Sequence, residues 1–259
     1  MKKTLLIKEN EKENFTINES NLTFEMENFP ILINSFPKKY SVSTINNYSD
    51  YLEILENSDF IIIDQKVADI YKLPEKDNSM IFKFEANEAN KNMNTVLDLI
   101  NLFIENNISK GSKVIAIGGG IVQDIAACAC ALFRRGQPFT YLPTTTLGQL
   151  DSCIGAKCAV NTKLAKNILG LFSAPKEVII PIFAIETMPS IDHRAGLAEM
   201  LRLCLTASQK ALNSYSDLLP YIINPKNLDK VRYASALRLS LSIKKSVVDF
   251  DEFEKDVRR

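Results

Sequence analysis

The sequence is poor in histidine, and His193 is the only one among its 259 residues. A mechanism that needs two or more histidine ligands therefore cannot be completed by these residues alone. Neither charge is in excess, since 31 basic residues balance 31 acidic ones. This balance argues against binding nucleic acid or a membrane surface through net charge. No apolar run reaches the roughly 18 residues that a membrane-spanning helix requires. The N-terminus turns charged too early for a secretory signal, so we expect a cytoplasmic protein.

The sequence has no Cys-x-x-Cys spacing, so it predicts neither a zinc knuckle nor a thioredoxin-type site. Its cysteines are odd in number, and each lies in a run of apolar or small residues. We therefore expect buried free thiols, which behave as small apolar side chains, at Cys128, Cys130, Cys153, Cys158 and Cys204.

Glycine is absent from the first 110 residues, and all nine glycines lie between Gly111 and Gly196. Because glycine lets a ligand or another backbone come close, chemistry that needs such an approach is expected in this middle segment. The first 35 residues are polar and are expected to form short strands or an extension.

The pattern of apolar residues predicts an α/β fold. Short apolar runs predict strands at 60–63, 80–84, 113–117, 139–142 and 177–180. Helices are predicted at 91–107 and 121–134, and the second is apolar almost all round, so it is expected to pack on two sides. Such alternation favours a parallel sheet covered by helices. After Pro189 the pattern predicts only helices, at 190–215 and 226–249. We expect an α/β domain over residues 1–184 and a helical segment over 185–259.

A glycine triplet, Gly118-Gly119-Gly120, follows a predicted strand and opens a predicted helix. Such a turn lets backbone N–H groups approach a diphosphate, and the helix N-terminus favours the anion. The motif is not G-x-G-x-x-G, because Gln123 occupies the last glycine position. It is not a P-loop either, because no Gly-Lys-Ser/Thr follows. A phosphate site and a tight turn without a ligand both fit this pattern.

Hydroxyl and carboxylate side chains follow the next strand, in Pro143-Thr144-Thr145-Thr146 and Asp151-Ser152. They lie where open α/β sheets bind ligands, and the hydroxyls equally suit an N-cap. Lys157 comes next, and Lys166-Asn167 follows after it. The small and apolar neighbours of Lys157 favour anion binding over a solvated surface position.

Glu199 and Arg202 are separated by one helical turn within an apolar stretch, so both lie on one face. Charges in such surroundings are paired or bound to something. A structural ion pair and a metal or substrate site both remain open. His193, at the predicted helix start among charged residues, is expected to be a surface or capping residue.

Taken together, these residues resemble the 3-dehydroquinate synthase family of sugar-phosphate cyclases. The resemblance covers about two-thirds of the chain, from Asn87 to Arg258, and rests on several motifs in order. The densest part comprises Gly-Gly-Gly-x-x-x-Asp at 118–124, Arg135-Gly136, Pro143-Thr144-Thr145, Asp151-Ser152, Gly155-x-Lys157, Asn161, Lys166-Asn167 and Gly196-Leu197-Ala198-Glu199. Weaker matches flank it at Asn87–Lys91, Lys244–Val248 and Asp251-Glu252.

The resemblance implies a Rossmann-like N-terminal domain that binds NAD and a helical C-terminal domain that holds a divalent metal, zinc or cobalt. It places the active site between the domains. The family closes a seven-carbon 2-keto-3-deoxy sugar acid phosphate into a carbocycle in a redox-neutral sequence. An alcohol is oxidised by NAD, phosphate is eliminated, the ketone is reduced again, and the ring recloses by an aldol step.

The resemblance also implies roles for individual residues. NAD is expected to contact Asp64, Glu88, Lys91, Gly119, Gly120, Ile121, Val122, Gln123, Asp124, Thr144, Thr145, Asp151, Ser152, Lys157, Lys166 and Thr187. Phosphate is expected on Lys157 and Asn167, with Lys166 near the nicotinamide. Arg135 is expected to reach the phosphate in a neighbouring subunit, which implies a homodimer. Glu199 is the expected metal ligand, Lys244 and Arg258 the expected ligands of the substrate carboxylate, and Arg202 an expected substrate contact.

Some residues depart from the family pattern. Arg202 replaces a lysine, an exchange that alters both shape and hydrogen bonding. Gln123 and Ala156 replace glycines, and Cys158 stands where threonine is common. Family members continue into a histidine-bearing segment that completes the metal site, so we expect a chain that is cut short after Arg259, and a catalytic zinc normally needs three protein ligands.

Three functions therefore remain open. The first is a cyclase of the 3-dehydroquinate synthase type, or a related cyclase acting on sedoheptulose 7-phosphate or glucose 6-phosphate. The second is an NAD- and metal-dependent alcohol or glycerol dehydrogenase, which leaves the lysines and Arg135 unexplained. The third is a non-catalytic protein that binds NAD or a sugar phosphate, or a subunit that needs histidines from a second chain.

Overall fold

The computed structural model of the chain describes residues 3–4, 14–16, 18–19, 23–35, 38–73 and 80–253. The strands are β1 (Lys3–Thr4), β2 (Asn14–Thr16), β3 (Asn18–Glu19), β4 (Thr23–Glu25), β5 (Ile31–Ile33), β6 (Tyr40–Ile45), β7 (Phe60–Asp64), β8 (Ile81–Phe84), β9 (Val114–Gly118), β10 (Phe139–Pro143), β11 (Lys157–Val160), β12 (Leu169–Phe172) and β13 (Glu177–Pro181). The helices are α1 (Tyr48–Glu56), α2 (Gln65–Ile70), α3 (Met93–Glu105), α4 (Gly120–Leu132), α5 (Ser190–Ala207), α6 (Gln209–Ile222) and α7 (Lys230–Asp251).

The chain divides into two compact units, each discontinuous in sequence. The sheet unit comprises residues 44–144 and 156–183, and the helical unit comprises 1–43, 145–155 and 184–259. The sequence predicts a single boundary after residue 184, whereas the chain passes between the units at several points, one of them between residues 183 and 184. Residues 145–155 and the described residues before 44 group with the helices because of tertiary contacts, which a local sequence pattern does not predict.

Five strands of the sheet unit form a parallel sheet in the order β13-β10-β9-β7-β8. This confirms the predicted α/β class. Strands β7 and β9 are buried along almost their whole length, which explains why they are continuous apolar runs rather than alternating ones. From β7 the chain crosses to β8 on one side and then to β9 on the other, so the strand order reverses between β7 and β9.

The helices of the sheet unit form with slightly shifted ends. Helix α3 begins at Met93 because the Asn92 side chain caps it, accepting a hydrogen bond from the Thr95 N–H. Helix α4 packs against α3, β9, β10 and β11, which confirms the expected packing on more than one side. Helix α1 is absent from the prediction, and its Tyr51 and Leu55 are buried against the apolar side chains of β7.

The helical unit corrects two of the predicted helices. The single helix predicted over 190–215 is broken at Ser208, where the backbone is extended and the side chain accepts a hydrogen bond from the Ala211 N–H. The serine therefore starts α6 instead of continuing α5. The helix predicted over 226–249 begins later, at Lys230, because Asp229 caps it through the N–H groups of Val231 and Arg232.

A π-helical turn at Gly148–Ser152 lies at the centre of the helical unit, and α5 and α7 both pack against it. The approach of α5 depends on Gly196, because a Cβ atom there would lie 2.6 Å from the backbone nitrogen of Leu147. Among the described residues, no helix is both long and apolar enough to cross a membrane.

Candidate functional site

The carboxyl ends of β7 and β9 meet at the point where the strand order of the sheet reverses. Strand β7 ends at Asp64, and β9 ends at Gly118, directly before the other two glycines of the triplet. Open parallel sheets bind ligands in the crevice outside such a reversal, because the loops that leave the two strands diverge there. The fold therefore places the glycine turn where a dinucleotide binds in sheets of this kind.

The glycine turn brings the start of α4 very close to the end of β9. A Cβ atom on Gly118 would lie 2.9 Å from the Cβ of Val122, so only glycine permits this approach. Gly119 is the N-cap residue of α4, and no side chain caps the helix. The first N–H groups of a helix have no partner within it, so this partly exposed end can receive a diphosphate oxygen. Ile121 is partly exposed, whereas Val122 and Gln123 are buried.

Asp64 has a local structural task at the end of β7. Its carboxylate accepts hydrogen bonds from the N–H groups of Lys66, at 3.2 Å, and Ala86, at 3.4 Å. It thereby caps α2 and ties the end of β7 to the segment after β8. Both tasks hold the loops on one side of the reversal in place.

Lys91 joins several of the expected NAD contacts in a partly buried network. Its Nζ lies 2.5 Å from Asp124 Oδ2 and donates to Asn167 Oδ1 at 2.6 Å. Asp124 also accepts from the Ala159 N–H at 3.2 Å. Burial raises the pKa of Asp124, and the hydrogen bond and positive charge of Lys91 oppose that shift. The network fixes α4, β11 and the turn that carries Asn167 around one ammonium group.

Glu88 and Lys166 lie at the exposed rim of this network. The Asn161 side chain donates to Glu88 Oε2 at 2.9 Å, and Lys166 Nζ lies 3.5 Å from the same oxygen. The hydrogen bond from Asn161, more than the charge of Lys166, lowers the pKa of the Glu88 carboxyl. Asn161 also accepts from the Asn167 N–H at 2.9 Å. Asn161 thus links the network around Lys91 to the pair formed by Glu88 and Lys166. The sequence motif that contains Asn161 did not predict this role.

Three further expected ligand contacts of the sheet unit are Lys157, Arg135 and Thr144. Lys157 is exposed and is the first residue of β11, which forms a hairpin with β12. Arg135 is exposed and has the left-handed backbone conformation, with φ of 61°. Thr144 is buried, and its N–H donates to the Gly118 carbonyl at 2.9 Å.

Three consecutive residues of the π turn are held by one face of α7. Tyr233 donates to Gln149 Oε1 at 3.1 Å, and Ser240 donates to the Leu150 carbonyl at 2.6 Å. Lys244 Nζ lies 2.5 Å from Asp151 Oδ1, and both side chains are largely buried. Positions 233, 240 and 244 share a helix face because their spacings of seven and four approximate whole turns.

Asp151 and Lys244 were predicted from sequence, whereas Gln149, Tyr233 and Ser240 were not. Tyr233 and Ser240 could have been identified as polar residues that share the helix face of Lys244. Thr145 lies three residues before Gly148, where this turn begins, and accepts a hydrogen bond from the Gly148 N–H at 3.0 Å, so the N-cap alternative describes its contact. Ser152 lies at the end of this turn and is partly buried. Thr187 is exposed, and its hydroxyl donates to the Ala184 carbonyl at 3.0 Å.

Glu199 and Arg202 form an ion pair on α5. The Arg202 Nε donates to Glu199 Oε1 at 2.7 Å, and this hydrogen bond raises the pKa of Arg202, with Asp151 adding to the effect. Glu199 is the one expected metal ligand, and its carboxylate here faces a guanidinium. Across the described residues, no group of three or more His, Cys, Asp or Glu side chains could hold a metal ion. The described donors therefore do not fit a complete metal site. Arg258 lies outside the described residues.

The prediction for His193 is wrong, because this side chain is fully buried. Its Nε2 lies 2.7 Å from the Ile222 carbonyl, an acceptor, so Nε2 carries the proton. Its Nδ1 lies 2.7 Å from Thr146 Oγ1 and accepts from that hydroxyl. The ring therefore ties the end of α6 to Thr146, two residues before the π turn begins. Its neighbours Asp192 and Arg194 are exposed, and the prediction was based on these charged residues.

We expect the stability of the protein to fall as the pH drops below 6.5, because burial lowers the pKa of His193 from that ordinary value. Above pH 6.5 the ring is neutral in both the folded and unfolded chain. Below it the unfolded chain binds a proton before the folded one, so the slope reaches at most about 1.4 kcal/mol per pH unit. The measurement is the free energy of unfolding by urea at a series of pH values.

The control for this pH effect is His193→Gln, which keeps an amide able to donate and accept but does not titrate in this range. Its unfolding free energy should lack the component of the slope that begins near pH 6.5. Identical slopes in the variant and the parent protein would refute the assignment of a neutral buried ring.

The described cysteines confirm the expectation of buried free thiols. All five are buried, and none forms a disulfide.

Comparison with known proteins finds similarity to 3-dehydroquinate synthases. Residues 81–195 match the family described as 3-dehydroquinate synthase N-terminal. The chain is 32% identical over 224 residues to a bifunctional 3-dehydroquinate synthase/phosphatase of Fusobacterium nucleatum, covering 84% of the chain and 33% of that protein. It is 32% identical over 234 residues to a 3-dehydroquinate synthase of Pelagibacter ubique, covering 88% of the chain and 61% of that protein. The chain thus spans between one third and three fifths of these relatives.

The fold matches that of a solved cyclase. A 2-epi-5-epi-valiolone synthase from Streptomyces hygroscopicus, solved with NAD+ and Zn2+, superposes with a TM-score of 0.74 at 24% identity. The match covers 88% of the chain and 66% of that structure. At this identity the likeness establishes the Rossmann-like α/β fold.

Proposed function

Since the chain belongs to the 3-dehydroquinate synthase family, we propose that it forms the NAD-binding part, and the start of the helical part, of a cyclase. The substrate would be a seven-carbon 2-keto-3-deoxy sugar acid phosphate, and the product a carbocycle with loss of phosphate. The observation that carries this proposal is the uncapped glycine turn at the reversal of the strand order. The Lys91 network beside that turn adds the polar groups that a dinucleotide needs.

NAD is proposed to lie along the glycine turn, with its diphosphate at the start of α4. When bound, NAD supplies a reversible acceptor for one hydride. Glu88, Lys91 and Asp124 would orient it, since Lys91 holds Asp124 and Asn167 in fixed positions. A preorganised set of this kind lowers the cost of positioning a reactant. The further proposed NAD contacts are Asp64, Gly119, Gly120, Ile121, Val122, Gln123, Thr144, Thr145, Asp151, Ser152, Lys157, Lys166 and Thr187.

Charged side chains are proposed to hold the substrate. In the sheet unit, Lys157 and Asn167 would bind the phosphate, and Lys166 would lie near the nicotinamide. In the helical unit, Asp151 would accept hydrogen bonds from substrate hydroxyls, and Arg202 would contact the substrate. Lys244 and Arg258 are proposed to bind the substrate carboxylate. Arg135 would act on the phosphate of a second copy, so a homodimer is part of the proposal.

A metal site would need further ligands beyond the described residues. Glu199 could supply one carboxylate oxygen if Arg202 turned away, and zinc or cobalt would then need more donors than the described residues bring together.

Calorimetry of NAD+ binding to the purified chain tests the proposal first. We expect saturable binding, and we expect Gly119→Val to weaken it at least about tenfold by blocking the approach of the diphosphate. Gly111→Val is the matched control, because Gly111 is exposed and lies outside the turn. A folded chain without NAD+ affinity would contradict the proposal.

Phosphate release by a longer form of the chain, with NAD+ and a divalent metal present, tests the reaction. We expect release from the seven-carbon acid phosphate and none from sedoheptulose 7-phosphate or glucose 6-phosphate. Release only from the neutral sugars would replace the proposed substrate class. NAD+ binding without release from any of the three would reduce the function to cofactor binding.

A further inference from the structure

A segment near the N-terminus lies along one face of α7. The segment comprises residues 27–35, which include β5, and is called the strap below. The residues that bind the strap are Arg238, Ser242, Lys245, Asp249 and Glu252. Their spacings of three and four place them on one face. At 3.6 residues per turn, this face lies roughly 140° around the helix from Tyr233, Ser240 and Lys244. Helix α7 therefore holds the strap on one side and the π turn on another.

Asp249 binds the strap through both of its carboxylate oxygens. Asn34 donates to Oδ1 from its backbone N–H and to Oδ2 from its side-chain amide, each at 3.0 Å. Lys245 Nζ lies 3.1 Å from Asp249 Oδ2 and 2.8 Å from Glu27 Oε1. Burial alone would lower the pKa of Lys245, but its hydrogen bonds to Glu27 and Asp249 raise it overall. Lys245 therefore stays charged and joins the two carboxylates.

Both ends of the strap are bonded to α7 or its C-cap residue. At the first end, the Glu27 N–H donates to Ser242 Oγ at 3.2 Å, and the Glu27 carbonyl accepts from Arg238 Nε at 3.0 Å. At the other end, the Ser35 hydroxyl donates to the Glu252 carboxylate, and both residues are buried. The strap is thus fixed along the second half of the helix, the part that carries Lys244.

The strap is also linked to the residues that follow the π turn. Its strand β5 pairs antiparallel with β6, and Ile33 lies opposite Tyr40. Tyr40 is buried, and its hydroxyl accepts a hydrogen bond from the Gly155 N–H at 2.9 Å. Gly155 comes three residues after the end of the turn. The strap is therefore connected to the π turn twice, once through α7 and once through β6.

We propose that Asn34, Lys245 and Asp249 are positioning residues for substrate binding, because they hold α7 where Lys244 meets Asp151. The proposal rests on the proposed function, in which Lys244 binds the substrate carboxylate and Asp151 the substrate hydroxyls. None of the three positioning residues is proposed to touch the substrate, so their effect passes through the helix. A loosened helix would leave Lys244 and Asp151 less well placed to bind both groups at once.

Steady-state kinetics of a longer form of the chain tests the effect on binding. We expect Asp249→Ala to raise KM for the seven-carbon acid phosphate about tenfold and to change kcat less than about threefold, because a carboxylate contact is made in the ground state and the transition state alike. Lys245→Met should act in the same direction. Lys245→Arg should keep KM within about threefold of the parent value, since a guanidinium can still pair with both carboxylates.

Hydrogen exchange followed by NMR tests the link to the π turn without turnover, on the chain itself. The amides of Gln149 and Cys153 are bonded within or next to the turn, to the carbonyls of Thr145 and Gly148. In Asp249→Ala they should exchange at least about tenfold faster, because local opening requires less free energy when α7 is released. Exchange in β9 should not change. The matched control is Ser208→Ala, which removes the cap of α6 in the same unit and should leave both exchange at the turn and KM unchanged.

The two measurements separate failure of this proposal from failure of the proposed function. Unchanged exchange at the turn in folded Asp249→Ala would overturn the positioning role, as would equal effects of Ser208→Ala or a fall in kcat at constant KM. If the parent enzyme released no phosphate, the proposed function would fail, and exchange would still decide whether the strap sets the turn. If Asp249→Ala does not fold, Asn34→Ala takes its place, because it keeps the backbone bond to Asp249.

Discussion

Replacing Lys91 with methionine is expected to lower the free energy of unfolding by about 3 kcal/mol and to abolish NAD+ binding. The substitution leaves Asp124, whose side chain is only 20% exposed, without its counter-ion. Removing one partner of a buried ion pair is costly because the other charge stays desolvated, and the residual exposure of Asp124 puts the effect at the low end of that range. Urea unfolding followed by circular dichroism measures the stability, and calorimetry measures NAD+ binding.

A second substitution separates the two effects of Lys91. Lys91→Met combined with Asp124→Leu removes both charges, and we expect most of the stability to return because no buried charge remains unpaired. NAD+ binding should stay lost if the pair contributes polar groups to the cofactor site. Lys110→Met, at an exposed position of the same unit, should leave both quantities unchanged. Recovery of binding in the double variant would show that Lys91 and Asp124 serve the fold alone.

The sheet and its ligand edge could be predicted from sequence because their signals are local. A strand buried on both faces must be apolar throughout, as β7 and β9 are. A glycine triplet between such a strand and a helix then gives the position of a close backbone approach. The strand order could not be derived in this way, because it depends on which strands pair across the sheet. The reversal that makes the edge a binding crevice is therefore visible only in the structure.

The errors in the helical unit share a different cause. The break at Ser208 depends on one serine that prefers to cap α6, and apolar residues continue with helical spacing on both sides of it. The burial of His193 depends on two partners that are distant in sequence, Thr146 and Ile222. The spacing of apolar residues predicts which face of a helix is buried, but it does not predict which residues of other segments hydrogen-bond to that face. Polar residues inside a core are for that reason the hardest to predict.

Lys244 is another buried polar side chain of the helical unit, and it holds Asp151, the proposed contact of the substrate hydroxyls. We expect Lys244→Met to destabilise the protein by about 3 kcal/mol, because Asp151 would keep a desolvated charge with only 13% of its side chain exposed. The other two contacts of the same stripe are neutral. Tyr233→Phe and Ser240→Ala should therefore each cost only about 1 kcal/mol. Urea unfolding of the three variants gives this order directly.

The order of these three costs decides what holds the π turn. If the ion pair dominates, a double-mutant cycle between Lys244→Ala and Asp151→Ala should give a coupling energy of about 2 kcal/mol, since each charge alone is left unpaired. Lys226→Met, an exposed lysine of the same unit, controls for the loss of a positive charge. A cost for Lys244→Met no larger than that for Ser240→Ala would contradict the assignment. The carboxylate of Asp151 would then be positioned by the neutral contacts of α7, and Lys244 would be free to bind a ligand without loosening the turn.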